Sequence, residues 1–115
     1  MAVKRMIGDS RPSHLYSKPF TDEEQAQSIC DIVCKYCPAL PSFNGVKPKV
    51  HFTGHTHNRR RYGYCKQEKM IIGLSIPSWG ILAHELAHIG THGHGYEFKE
   101  AHMEILDLME RLARE

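Results

Sequence analysis

The chain lacks any long apolar run. No stretch approaches the ~20 consecutive apolar residues of a membrane-spanning helix, so no membrane partner is expected. It also lacks a strong charge bias, with 15 Lys and Arg against 13 Asp and Glu and a net charge of +2. A balance that close does not imply a partner held by overall charge. The opening MAVKRMIGDSRP is basic but has no apolar segment of the kind a secretory signal needs. A cytoplasmic location is therefore expected, and in a reducing compartment the four Cys are expected as free thiols.

Histidine is abundant instead, with nine residues in 115. His55, His57, His84, His88, His92 and His94 fall within or ahead of one stretch, ILAHELAHIGTHGHGYEF, from Ile81 to Phe98. Clustered imidazoles point to metal binding or acid–base work more than to core filling. The length suits one small domain with its own core. Residues 1–20 carry Gly8, Asp9, Ser10, Pro12, Ser13 and Pro19 and read as an irregular N-terminal arm; 21–115 reads as the domain.

Thr21 to Glu24 forms a capping box, with acidic residues in the first turn. A helix is predicted from there to about Tyr36, with Ala26, Ile29, Cys30, Val33, Cys34 and Cys37 as one apolar stripe. Cys34 and Cys37 form a C-x-x-C, and Cys30 adds a third thiol. A zinc knuckle needs a second Cys pair, and the chain offers Cys65 alone. The trio therefore reads as the buried face of the helix, with a site that adds Cys65 as the alternative.

Lys49 to Thr53 alternates as a strand, with Val50 and Phe52 on one side and His51 on the other. His55 and His57 follow in a loop and read as exposed polar residues. Arg59, Arg60 and Arg61 read as a solvated edge; the sharper reading is a contact for DNA phosphates, with Tyr62 and Tyr64 as stacking surfaces. Residues 60–75 form a hairpin around the polar turn Lys66 to Lys69. Ser78 then caps a helix from Trp79 to about Ile89, and a last helix runs from Tyr96 to about Arg114. The fold class is α+β: an N-terminal helix, a three-stranded antiparallel-type sheet, the motif helix and a C-terminal helix.

His84-Glu85-Leu86-Ala87-His88 is an H-E-x-x-H pattern. On a helix the two His residues lie one turn apart on one face, and Glu85 follows where a carboxylate can reach a nearby water. The neighbours Ile81, Leu82, Leu86 and Ile89 make the helix largely buried, and buried His and Glu side chains need partners. Zn²⁺, one ion, is the expected cofactor. His92 lies about 12 Å along a straight helix from His84 and could not share the ion. A reversal is needed, and Gly90, Gly93 and Gly95 permit one. His94, after the reversal, is a third-ligand candidate; His92 competes, and Glu97 and Glu100 are carboxylate candidates on the last helix. His102 falls on that helix's apolar stripe and reads as a core histidine with a satisfied hydrogen bond, or as a partner that supports the site.

HELAH, then five residues, then His94-Gly95-x-x-Phe98 resembles the SprT-like metallopeptidases and the related YgjP-like family. The likeness is specific from about residue 70 to 100. It implies a small zincin-type domain in which His84, His88 and His94 hold zinc and Glu85 is the general base. It also implies a protein or peptide substrate lying extended beside a sheet strand, and an association with DNA-bound proteins. The metzincin interval fits too, but Thr91 stands where that family has Gly and no Met-turn follows. An oxyanion donor is expected among Tyr62, Tyr64 and Tyr96. Two alternatives carry different predictions: an ImmA-like repressor-cleaving protease with an acidic third ligand, and a non-catalytic nucleic-acid or protein adaptor whose zinc is structural.

Overall fold

The first helix, α1 (Glu23–Tyr36), begins one residue later than the capping box suggests. Its N-cap is Asp22, whose carboxylate accepts from the Gln25 N–H at 2.8 Å. The Gln25 side chain reaches back to accept from the Thr21 N–H at 2.7 Å. Asp offers the stronger acceptor, and Gln25 reaches one residue past the cap to the Thr21 N–H, so the capping pattern is shifted by one rather than lost. In this computed structural model residues 13–37, 48–53, 63–66, 70–89 and 95–114 are described. They form three α-helices, a short 3-10 turn (His14–Ser17) and one three-stranded sheet, an α+β fold.

The strands are β1 (Lys49–Phe52), β2 (Gly63–Lys66) and β3 (Ile71–Leu74), in spatial order β1-β3-β2. β2 and β3 form the expected antiparallel hairpin, with Met70 at φ 53° in the turn between them. The antiparallel-type expectation is corrected for β1, which pairs parallel to β3. The whole hairpin turn and β2 lie between β1 and β3 in the chain, enough length for the crossover that parallel pairing needs. β3 thereby becomes the central strand, and Ile72, Gly73 and Leu74 are all buried.

The register sets two faces. Val50, Ile72 and Cys65 lie in one row and Phe52, Leu74 and Gly63 in the next, on the side of the helices. His51, Gly73 and Tyr64 form a row on the opposite side, where the Tyr64 hydroxyl and His51 Nε2 are 2.9 Å apart. Gly73 has no side chain, and the Tyr64 ring occupies the space a Cβ would take.

α2 (Trp79–Ala87) is buried at all nine positions. Ser78 caps it, accepting from the Ile81 N–H at 3.1 Å. Residues 13–20 pack on its start: Trp79 N–H donates to the Lys18 carbonyl, Phe20 N–H donates to Pro77, and Phe20 stacks on Trp79 at 5.4 Å. Gly80 allows this approach, since a Cβ there would stand 2.6 Å from the Tyr16 ring. α3 (Tyr96–Arg114) buries Phe98, Ala101, His102, Ile105, Leu106 and Met109 against α2 and α1. The helical stripe of α1 contributes Ala26, Cys30 and Val33 to the same core, and all four Cys are free thiols. Among the described residues no helix is long and apolar enough to cross a membrane.

Candidate metal centre

α2 carries the site because a buried helix with polar residues at one-turn spacing must pair them internally. His84 is 4% exposed and Glu85 5% exposed, while His88 is half-buried at the helix end. His88 is the C-cap, with its N–H bonded to the carbonyls of Glu85 and Leu86. The helix thus ends on the second His of the motif, earlier than the expected Ile89, because the chain turns there.

The two imidazoles converge. His84 Nε2 and His88 Nε2 are 3.2 Å apart, with the rings edge to face at 4.9 Å. Two imidazole nitrogens that close share either a proton or a cation. Two nitrogens held at ~2.0–2.1 Å from one tetrahedral zinc ion stand about 3.3 Å apart, so the separation of the pair is one that such an ion allows.

Phe98 fixes both rings from α3. Its ring lies 5.1 Å from that of His84 and 4.6 Å from that of His88. It also stacks on His102, 5.6 Å away and nearly parallel at 8°. His102 is fully buried, and its Nε2 lies 2.9 Å from the Tyr16 hydroxyl. The hydrogen bond expected of a core histidine is therefore present, and its partner lies 86 residues away in the chain. The His102 ring lies 6.2 Å from that of His84.

Glu85, one residue after His84, leaves the helix about 100° round from the His pair. That direction is β2: Glu85 Cγ packs over Gly63, and the carboxylate is close enough to Cys65 to act on its thiol. Burial pushes the Cys65 thiol up to about 12, and the Glu85 charge adds to the rise. Sequence reading weighed Cys65 only as a partner of the α1 thiols and gave Gly63 no role; their period-2 spacing was the available signal that the two share a face, but not that this face meets Glu85.

The other candidates divide clearly. Among the described residues no group of three His, Cys, Asp or Glu is placed to hold an ion. Glu97 and Glu100 are exposed on α3 and do not complete one. His92 and His94 lie outside the described residues, as do His55, His57, Arg59, Arg60, Arg61 and Tyr62. Of the tyrosines expected near the chemistry, Tyr64 is on the sheet face away from α2, bonded to His51, and Tyr96 is 81% exposed. No protein-family model, curated protein or solved structure gives a significant match to the chain.

Proposed function

We propose that the protein is a zinc-dependent peptidase, with His84, His88 and His94 as metal ligands and Glu85 as general base. The observation that carries the reading is the His84–His88 pair, its Nε2 atoms 3.2 Å apart, with His84 buried and His88 half-buried, beside the buried Glu85 carboxylate. His94 enters from the H-G-x-x-F resemblance. A zinc ion bound there would lower the pKa of a water and polarise a substrate carbonyl. The chain's own residues do the rest. His84 and His88 present neutral nitrogens, Phe98 holds both rings in place, and Glu85 takes a proton at its carboxylate and delivers it to the leaving amine.

The sheet edges support an extended polypeptide as substrate. The β1 edge is closed by α1: Gln27 accepts from the Val50 N–H at 2.7 Å and donates to the Pro48 carbonyl at 2.9 Å. Glu23 accepts from the Phe52 N–H at 2.9 Å. β2 is the other edge, and no described strand pairs with its outer side. It runs directly beside Glu85, where an added strand would place its backbone near the base. Association with DNA-bound proteins remains the resemblance's contribution to this reading.

The deciding experiment is Glu85→Gln. It keeps parental zinc content and loses hydrolysis of an unfolded protein substrate by about 10²–10⁴-fold. A variant that cleaves at the parental rate sinks the mechanism. His94→Ala, compared with Glu97→Ala and Glu100→Ala, identifies the third ligand: zinc is lost in the first and kept in the others. Zinc loss in either Glu variant would favour the ImmA-like alternative.

A further inference from the structure

Beneath Glu85 lies β2, and the alternation of that strand turns Gly63 and Cys65 to the side of α2. At Gly63 the strand and the helix come close together. A Cβ at this position would stand 3.4 Å from Glu85 Cγ, 3.1 Å from Ile81 Cγ2 and 2.9 Å from the Gly73 carbonyl oxygen. The last of these is backbone within the same sheet, so it cannot swing aside as a side chain would. Two residues further on, Cys65 packs at the margin of the core on the same face. Its thiol is held protonated by burial and by the Glu85 charge. It is therefore present as S–H, a weak donor, rather than as a thiolate. Cys65 forms no three-residue ligand group with the described His residues.

We propose that Gly63 and Cys65 are positioning residues that seat Glu85 on β2. The absent side chain at 63 lets the Glu85 methylenes lie against the strand, and the Cys65 side chain bounds the carboxylate on the same face. The inference rests on the reading of Glu85 as base and says how that base is held in line with a substrate on the β2 edge. A carboxylate free to leave this seat would occupy unproductive rotamers, lowering kcat while leaving substrate binding alone.

The test has two arms. The first needs no activity: alkylation of Cys65 by iodoacetamide at pH 8 is followed residue by residue by mass spectrometry in the zinc-loaded parent and in Glu85→Gln. Removing the charge raises the Cys65 rate by roughly 3–10-fold, while Cys30, Cys34 and Cys37 react as in the parent. An unchanged Cys65 rate overturns the seat. The second arm measures peptide hydrolysis together with zinc content. Gly63→Ala and Cys65→Ala lower kcat by about tenfold at parental KM and zinc content, and Cys65→Ser, which keeps an X–H donor, restores most of the loss. Parental kcat in Cys65→Ala, or a loss that appears in KM or zinc instead, overturns it. Should Gly63→Ala fail to fold, the Cys65 pair decides. A parent that hydrolyses no substrate overturns the peptidase reading, and the alkylation arm then decides alone whether the seat exists.

Discussion

Two helices in this chain carry chelating residues at metal-like spacing, and they use them in opposite ways. α1 and its C-cap hold Cys30, Cys34 and Cys37; α2 and its C-cap hold His84 and His88. On α1 the thiols follow the apolar stripe. Cys30 is fully buried with its Sγ 3.9 Å from the Pro48 carbonyl, and Cys37 is 5% exposed with its Sγ 3.7 Å from Glu104. A thiol is nearly apolar and fits a core without a strong partner. Two imidazoles and a carboxylate do not, since each loses several hydrogen bonds to water on burial. On α2 the nitrogens are aimed at one another instead of into the packing. Spacing alone makes the two helices look alike; the atoms that face each other separate them.

The largest expected effect breaks the comparison if it fails. His84→Ala and His88→Ala each abolish zinc binding and hydrolysis. The combined Cys30→Ala, Cys34→Ala, Cys37→Ala variant keeps the parental zinc stoichiometry. Metal analysis of purified protein reads both, and zinc that follows the thiols instead of the imidazoles would invert the assignment.

Phe98 comes next. Its ring packs against both site imidazoles and His102, so Phe98→Ala removes core packing and a support for the proposed metal site together. A stability loss of about 3–5 kcal/mol is expected from the cavity, with a zinc affinity about 10–100-fold weaker from the loosened rings. Phe98→Leu recovers stability more than it recovers affinity, because a branched aliphatic fills volume but does not orient two rings. Denaturant titration and competition with a chelator measure the two quantities separately.

Much of the fold was legible because period and punctuation agreed with packing. The α1 stripe, the Ser78 cap, the β2–β3 hairpin and the extent of α3 all follow from local signals. The parallel pairing of β1 did not, because strand direction depends on a crossover that no local pattern encodes. The same limit applies at the site. H-E-x-x-H marks the helix of the candidate site, yet Tyr16 against His102 and Gly63 against Glu85 join residues far apart in sequence. Their identities are unremarkable until the fold brings them together.

A smaller effect concerns the core side of the comparison. Cys30→Ala leaves the sulfur's volume empty in a fully buried position and costs about 1–2 kcal/mol. Zinc content and hydrolysis stay parental. A comparable loss of zinc would place α1 in the site after all.

The subtlest case is His102, which stands between the two kinds of behaviour. It is an imidazole beside His84, yet it lies on an apolar stripe and has a hydrogen bond to the buried Tyr16 hydroxyl. If it belongs with the thiols as a core residue, Tyr16→Phe costs about 1 kcal/mol of stability through the lost bond and leaves zinc affinity unchanged. The double variant Tyr16→Phe, His102→Leu then recovers part of that cost, because it removes the group left without this partner, and the difference from the sum of the single variants measures the pair's coupling. If His102 instead supports His84, zinc affinity falls in Tyr16→Phe itself, although the hydroxyl belongs to the 3-10 turn and not to α2 or α3. The geometry favours the first outcome: the His102 ring is stacked flat on Phe98 and its Nε2 is turned to Tyr16, so the bond ties the N-terminal turn to α3 rather than steering the metal.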